Sequence, residues 1–274
     1  MNDAIDLALV QPHIEPGAVE ATRSRAEAAV AEAAAGGADL VALPELFTVG
    51  YFAFDRYADS AEGLAGPTLS RLANVAAGHD VALLAGSVIE DLEATRAETD
   101  EPTPAETGIA NTAVLFDGSG ERRLVFRKHH LFGYGSRETE LVTPGERFPV
   151  AEVAGVEVGV AICYDLRYPG VFRRLFDAGA ELVVLPSAWP YPRVEHWRTL
   201  ARARAIENLG YVAAVNGVGS FDDASLIGRS AIYDPWGTTV ASAADTPTTI
   251  GGGVDPGAVD AIRDEFPTLE DRRL

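Results

Sequence analysis

The chain has 274 residues, of which 47% are hydrophobic, so it can bury a sizeable core and is not expected to be disordered. Its formal net charge of −19 at pH 7 argues against nucleic acid and anionic membrane surfaces as partners, because both attract basic proteins. No apolar run is long enough to cross a membrane, and the acidic first segment is unlike a signal peptide, so we expect a cytoplasmic protein.

Strand-like and helix-like patterns alternate along the first half of the chain. The spacing of apolar residues predicts strands over 5–10, 40–43 and 81–89, helices over 18–35 and 69–77, and a hairpin formed by 113–116 and 124–126. Residues 91–108 contain six acidic residues and two prolines but few apolar side chains. We expect this segment to be a solvated acidic loop between two strands.

The second half of the chain continues the alternation, with strands over 156–162, 182–185, 211–215, 230–233 and 238–242 and helices over 171–178 and 194–208. Three glycines at 251–253 indicate a turn, and residues 256–274 indicate a C-terminal arm that begins as a helix. Repeated strand–helix units with interleaved hairpins predict an α/β protein whose mixed sheets are covered by helices. Because no linker or internal repeat divides the chain, we expect one domain over 1–274.

Two residue types occur only once in the sequence. Lys128 stands beside 21 arginines as the only lysine, and Cys163 is the only cysteine. One cysteine cannot form an internal disulfide, which suits a reducing compartment. An acidic composition almost without lysine is typical of proteins kept soluble in concentrated salt, so we expect a halophilic protein. A lysine that remains against this background is predicted to do something that arginine cannot.

Cys163 directly follows one predicted strand and precedes a predicted helix. This order places the thiol at a strand-to-helix turn, where the first N–H groups of the helix favour a thiolate nucleophile. A buried free cysteine can also be a small hydrophobic core residue. The polar run at 164–167 favours the functional interpretation.

Glu45 and Lys128 also follow apolar strands. A partly buried glutamate has a raised pKa and can accept the proton of a thiol, although it can equally cap a helix or pair with an arginine. A lysine at a strand end usually just reaches solvent, but a compact ammonium can stabilise a developing oxyanion. A base, a cation and a nucleophile at the ends of three strands predict a thiol-dependent amide hydrolase.

The motifs around these residues resemble those of the nitrilase superfamily of carbon–nitrogen hydrolases. The resemblance is carried by LPELF at 43–47, KHHLF at 128–132 and CYDLRYP at 163–169, with shorter matches that include ARAIEN at 203–208 and DPWG at 234–237. It covers essentially the whole chain. It implies a four-layer α-β-β-α sandwich with two mixed β-sheets that forms a homodimer or a higher homo-oligomer and needs no cofactor or metal.

The resemblance also implies the roles of the main site residues. Glu45 is expected to be the general base and Cys163 the nucleophile that forms a thioester. Lys128 and the backbone N–H of Tyr164 are expected to hold the oxyanion. His130 fits the family's pattern around the lysine and is expected to support that loop rather than act as the base.

A second glutamate of the family lies upstream of a Pro-Gly turn. Glu138, seven residues before Gly145, matches it best, and Glu140 is the alternative. It would orient Lys128 and the leaving nitrogen. Gly170 departs from close relatives, which often carry an acid there, and this change is expected to alter the pocket wall.

The stretch around Trp189 looks like the branches that hydrolyse small ω-amides of dicarboxylates, such as 2-oxoglutaramate. A distal carboxylate needs a cationic receptor, for which Arg167 and Arg193 are candidates, although either can instead pair with Asp165 or Glu195. N-carbamoyl amines or amino acids are the second choice of substrate, and nitriles are the third. A catalytically silent interaction protein on the same scaffold is a further alternative, which the complete set of expected catalytic residues disfavours.

Overall fold

The fold was analysed in a computed structural model, which describes residues 4–222 and 224–273. The helices are α1 (Val19–Ala35), α2 (Tyr57–Ser60), α3 (Pro67–His79), α4 (Leu92–Glu98), α5 (Glu138–Leu141), α6 (Pro169–Asp177), α7 (Val194–Ile206) and α8 (Pro256–Glu265). The strands are β1 (Ile5–Gln11), β2 (Leu40–Ala42), β3 (Ala82–Leu84), β4 (Val88–Asp91), β5 (Ile109–Phe116), β6 (Arg122–Arg127), β7 (Val150–Val153), β8 (Val156–Val160), β9 (Leu182–Ser187), β10 (Tyr211–Asn216), β11 (Val218–Phe221), β12 (Ala224–Ile227), β13 (Ala231–Tyr233), β14 (Thr239–Ser242) and β15 (Thr248–Val254). Short 3₁₀ turns cover Phe54–Arg56 and Cys163–Arg167.

The strands form two large mixed sheets and one small hairpin. The first sheet has the order β15-β1-β2-β3-β5-β4, with β6 on the free side of β5. Its β1, β2 and β3 run parallel, whereas β15, β4 and β6 pair antiparallel with their neighbours. The second sheet has the order β14-β13-β10-β9-β8-β7, and its β8, β9 and β10 run parallel. The hairpin is formed by β11 and β12.

Alternation along the strands of the first sheet explains how the layers stack. Leu7 and Leu9 of β1 face the second sheet, where they pack in one core with residues of β8, β9 and β10. The intervening Ala8 and Val10 point the other way, into a second core that contains buried residues of α1 and α3. Successive strand side chains point to opposite faces, so one strand serves two layers.

Helices α6 and α7 cover the far side of the second sheet through buried residues such as Phe172 and Trp197. The order of layers is therefore helices, sheet, sheet, helices, and the predicted four-layer sandwich is confirmed. No helix among the described residues is long and apolar enough to span a membrane.

The prediction of one strand over 81–89 is wrong, because the chain bends between β3 and β4. Gly86 has a φ of +53° at this bend, and a Cβ there would lie 2.2 Å from the carbonyl oxygen of Pro44. The strand is therefore interrupted where it passes directly beneath the segment that carries Glu45.

The prediction of a solvated loop over 91–108 is wrong for its first part, which forms α4. Asp91 caps this helix by accepting hydrogen bonds from the N–H groups of Glu93 and Ala94 at 2.9 and 3.1 Å. Leu92 and Thr95 of this helix are fully buried. A helix of seven residues with only two buried side chains is too short to show a helical spacing of apolar residues in the sequence.

The glycines at 251–253 lie in β15 rather than in a turn, so that prediction is also wrong. They pair with β1, and a Cβ on Gly252 would lie 2.8 Å from Val240 Cγ1. Close packing against β14 therefore requires glycine in this strand. The arm over 256–274 begins with α8 as expected, and Arg272 near its end pairs with Asp177 at 2.8 Å, whereas Leu274 lies outside the described residues.

Candidate active site

Four of the predicted site residues meet at one edge of the two sheets. Glu45 follows β2, Lys128 follows β6, and Cys163 lies three residues after β8. Lys128 Nζ donates to Glu45 Oε1 at 2.8 Å and to Glu138 Oε1 and Oε2 at 2.8 and 3.0 Å. The side chains of the lysine and both glutamates have no exposed surface. The ammonium is thus buried and held by three carboxylate oxygens.

Glu138, rather than Glu140, is the second glutamate of this cluster. It begins α5 and is fully buried, and its Oε2 accepts hydrogen bonds from the Phe132 N–H at 2.7 Å and the Tyr51 hydroxyl at 3.1 Å. Glu140 is exposed and lies 3.6 Å from Arg137. The helical turn directs the two side chains apart, so only Glu138 contacts Lys128.

The turn after β2 aims the carboxylate of Glu45 at the cysteine. Leu46 has a φ of +42°, and its N–H donates to Ser87 Oγ at 3.0 Å, which fixes the turn. Glu45 Oε2 accepts the N–H of Ala188 at 2.9 Å. The other oxygen, Oε1, faces Lys128, so the two oxygens have separate environments.

Cys163 lies on a strained turn between a strand and a helix. Its φ is +45°, in the left-handed region. Its thiol lies within hydrogen-bonding reach of the Glu45 carboxylate and the Ala188 N–H. Burial raises the pKa of the thiol well above its usual value, and the negative charge of Glu45 raises it further. The resting sulfur is therefore a protonated thiol beside a carboxylate that can accept its proton.

The electrostatics of the cluster follow from burial and from an excess of negative charge. Burial raises the pKa of Glu45, although the positive charge of Lys128 opposes this effect. Burial alone would lower the pKa of Lys128, but Glu138 and Glu45 together raise it well above its usual value. The lysine thus stays charged, and Glu45 is the group whose proton affinity suits a base.

His130 connects the lysine loop to the cysteine turn. Its N–H and its Nδ1 lie 2.8 and 2.9 Å from the same oxygen of Asp165, Oδ1, and its ring stacks on Tyr168 at 3.6 Å. Asp165 Oδ2 also accepts the N–H of Ile162 at 3.0 Å, just before the cysteine. His130 does not face the thiol in this arrangement.

Sequence patterns missed two buried residues of the cluster, Asn111 and Tyr51. Asn111 Nδ2 donates to Glu45 Oε1 at 2.8 Å and to Glu138 Oε1 at 3.3 Å. The Tyr51 ring lies 4.9 Å from Lys128 Nζ. The available signal for the first of them was a buried-type strand, β5, that carries the polar pair Asn111 and Thr112 among apolar residues.

A narrow cleft, lined in part by Cys163 and Lys128, opens at the site. Arg167, Trp189 and Arg193, the predicted substrate-binding residues, are among its lining residues, and so is Tyr164, the predicted backbone donor. Gly170 is exposed and is not among those residues, so the expected effect on the pocket wall is wrong.

The two arginines of the cleft are held mainly by aromatic rings. The guanidinium of Arg167 lies 4.9 Å from the ring of Trp189, and that of Arg193 lies 5.8 Å from the ring of Phe132. Within residues 4–222 and 224–273, neither guanidinium has a carboxylate within 4.0 Å. The anticipated pairs with Asp165 and Glu195 do not form, because these acids contact His130 and Arg198 instead.

The described part of the chain contains no group of three or more His, Cys, Asp or Glu side chains arranged to hold a metal ion. The chemistry of the cluster can be written with protein groups alone, because it contains a proton acceptor, a cation and a nucleophile.

Comparison with known proteins agrees with the fold and the motifs. A model of the carbon–nitrogen hydrolase family matches residues 6–264. The 2-oxoglutaramate amidase of Paenarthrobacter nicotinovorans is 35% identical over 242 residues, which cover 87% of this chain and 79% of that protein. Omega-amidase NIT2 of Xenopus tropicalis is 32% identical over 277 residues, which cover 97% of this chain and 94% of that protein.

The crystal structure of Nit3 from Saccharomyces cerevisiae, a member of branch 10 of the nitrilase superfamily, has the same architecture. It superposes with a TM-score of 0.86 and 28% identity over 99% of this chain and 97% of that chain. The predicted resemblance is confirmed, and with it the expectation of a hydrolytic enzyme: the chain belongs to the carbon–nitrogen hydrolase family.

Proposed function

We propose that the protein is a thiol-dependent amidase in which Cys163 is the nucleophile and Glu45 is the base. The observation that carries this proposal is the placement of the thiol against the buried carboxylate of Glu45, which also accepts a hydrogen bond from Lys128. Glu45 takes the thiol proton as the sulfur attacks the amide carbonyl carbon. The carbonyl π electrons move to oxygen, and the resulting anion is stabilised by Lys128 and the backbone N–H of Tyr164.

Collapse of the tetrahedral intermediate breaks the C–N bond. Glu45 returns the proton to the leaving nitrogen, ammonia departs, and the acyl group remains on Cys163 as a thioester. Glu45 then takes a proton from water, which attacks the thioester and releases the carboxylic acid and the thiol. Glu138 holds Lys128 in place through both steps. At the end of the cycle, Glu45 and Glu138 are again the carboxylates that bind Lys128.

The substrate we propose is the ω-amide of a small dicarboxylate. The cleft presents two guanidinium groups without carboxylate partners among the described residues, and guanidinium groups bind carboxylates in a two-pronged geometry. The similarity to a 2-oxoglutaramate amidase and to an omega-amidase supports the same choice. Arg167 and Arg193 would bind the distal carboxylate while the amide reaches Cys163.

Ammonia release from a panel of amides tests this substrate. The panel contains 2-oxoglutaramate, N-carbamoyl amino acids, aliphatic nitriles and neutral amides of matched length. We expect kcat/KM to be highest for the ω-amide with a free carboxylate. A preference for the N-carbamoyl compound or for the nitrile would replace the substrate assignment, and no turnover with any compound would favour the silent scaffold.

Variants of the cleft arginines test the carboxylate receptor directly. Arg167→Ala and Arg193→Ala are expected to raise KM for the carboxylate-bearing amide by about tenfold or more, because each removes a charge-assisted hydrogen bond. KM for a neutral amide should stay within about twofold. Arg198→Ala is the matched control, since Arg198 is a nearby exposed arginine whose contact is Glu195 at 4.0 Å. An equal loss for both amides would contradict the receptor role.

We further propose a cytoplasmic, halophilic homodimer built from one domain over 1–274. The net charge of −19 supports the salt requirement. Support for pairing comes from apolar side chains that are about half exposed at one end of the second sheet, namely Ile206, Trp236 and Phe266. Sedimentation at high salt tests the dimer, and Trp236→Glu is expected to shift it towards monomer.

A further inference from the structure

Asn111 completes a closed ring of hydrogen bonds that has two donors and two acceptors. Its Nδ2 and the Nζ of Lys128 are the donors, and the Oε1 atoms of Glu45 and Glu138 are the acceptors. Each donor therefore contacts both carboxylates. Asn111 is fully buried, like the three charged side chains around it.

The backbone fixes Asn111 beside the lysine. Strands β5 and β6 pair antiparallel, and the Lys128 N–H donates to the carbonyl oxygen of Asn111 at 2.8 Å. The two donors of the ring thus come from facing positions on adjacent strands, and their separation is set by the sheet. The carboxylates come from a loop and a short helix, which are less constrained on their own.

The amide of Asn111 donates only to the two carboxylates of the site, and its oxygen makes no hydrogen bond to the surrounding described residues. Its Oδ1 is buried and has no hydrogen-bond partner in residues 4–222 and 224–273. A buried polar atom without a partner destabilises a protein. An apolar residue in β5 would avoid this cost but would donate nothing to the carboxylates.

We propose that Asn111 is a positioning residue that fixes Glu45 and Glu138 around Lys128, so that the Glu45 carboxylate faces the thiol. This inference deepens the proposed function and rests on it. A neutral amide suits the position, because it donates to both carboxylates without adding charge. A second cation there would neutralise the excess negative charge that lets Glu45 accept a proton.

The groups that influence Glu45 come from several elements. Lys128 and Glu138 lie on either side of the ring, Cys163 contacts the carboxylate, and the hydroxyls of Tyr51 and Tyr57 lie within its electrostatic range. None of these groups is removed when Asn111 is replaced. A change in the pH profile of an Asn111 variant therefore reports the lost amide contact.

The test compares Asn111→Ala with the parent in two assays. The first is ammonia release from 2-oxoglutaramate as a function of pH. The second is alkylation of Cys163 by iodoacetamide, which requires no knowledge of the natural substrate. Loss of a hydrogen bond to a carboxylate is expected to lower kcat by about 10- to 100-fold with KM within about twofold. The acid limb of both profiles should move up by about one pH unit, because the carboxylate loses a donor.

Asn208→Ala is the matched control. Asn208 is also fully buried, and its Oδ1 also has no partner in the described chain, but its Nδ2 donates to the Arg204 carbonyl at the end of α7. It should change the melting temperature without moving either pH profile. If Asn208→Ala moves the profiles as much as Asn111→Ala does, the effect is structural and the inference fails.

Asn111→Asp supplies the test if the alanine variant does not fold, because it has the same shape but replaces the donor with a third buried acid. A loss of kcat of at least about 100-fold is expected. Either Asn111 variant with the parental kcat and profile would overturn the inference. If the parent hydrolyses no amide, the proposed function fails, and a shifted alkylation profile in the variant still supports the positioning of Glu45.

Discussion

His130 and Asp165 join the two loops that carry the lysine and the cysteine. Both the backbone N–H and the ring Nδ1 of His130 meet one oxygen of Asp165, while the other oxygen of Asp165 accepts the N–H of Ile162. The histidine therefore connects the two loops through Asp165, which agrees with the proposal that Glu45 takes the thiol proton. These contacts distinguish a glutamate base from a histidine base for Cys163, which the residue types in the sequence alone do not.

Replacement of the two candidate bases should have unequal effects. Glu45→Gln is expected to reduce kcat by at least about 100-fold, because glutamine cannot accept the thiol proton. His130→Asn should cost about tenfold or less, mainly through a looser contact with Asp165. Ammonia release at saturating substrate measures both. A larger loss for His130→Asn would indicate a Cys–His mechanism instead.

Lys128→Arg should inactivate the enzyme although it preserves the charge. The ammonium occupies a fully buried site bounded by three carboxylate oxygens within 3.0 Å and by the ring of Tyr51. A planar guanidinium is too wide for this site, and loss of one oxyanion donor typically costs about 10²–10³ in kcat.

The melting temperature of the folded variant and its kcat should be measured together. Activity within a few-fold of the parent would contradict the oxyanion role and the special status of the only lysine. Arg123→Lys on the surface is a suitable control, because Arg123 is exposed and its ion pair, with Asp117 at 3.4 Å, is itself at the surface.

Cys163 should be a neutral thiol at pH 7 in the resting enzyme. The charged form of a thiol is the anion, so the raised pKa keeps the proton on sulfur at a pH where an ordinary thiol begins to ionise, near 8.5. Thiolate absorbance at 240 nm, taken as the difference between the parent and Cys163→Ala, should stay flat up to that pH. A full thiolate step below pH 7 would show a preformed ion pair with Lys128 and no need for Glu45 as the base.

Stability should rise with ionic strength. A net charge of −19 repels itself at low salt, whereas about 1 M salt shortens the screening length to about 3 Å. We expect the melting temperature to increase between low salt and about 1 M NaCl, and activity to follow it. Sucrose stabilises proteins without screening charge and serves as the control. A melt that does not respond to NaCl would remove the halophilic interpretation.

Much of the fold follows from local apolar patterns, and its errors have local causes. The strand over 81–89 breaks because Gly86 passes under Pro44, a contact between distant segments that no local pattern contains. The triple glycine in β15 was interpreted as a turn because glycine is common in turns. Its actual cause is the close approach of Gly252 in the first sheet to Val240 in the second sheet.

The candidate site was predictable where a residue interrupts an apolar strand end. Glu45, Lys128 and Cys163 all have this signature, and the structure brings them together. Tyr51 and Asn111 do not, because an aromatic residue in a loop and a polar residue in the middle of a strand resemble ordinary core positions. Their contribution depends on which side chains face them, and only the assembled sheets determine that.

The backbone at Cys163 gives the protein a conflict between durability and chemistry. A φ of +45° suits glycine, which has no Cβ, and disfavours every other residue except asparagine and aspartate. Leu46, next to Glu45, has the same left-handed geometry at +42°. Both turns at the site therefore contain a residue with a side chain in a backbone conformation that favours glycine. Selection for heat resistance alone would replace the thiol with glycine, so the cysteine persists only where turnover is selected as well.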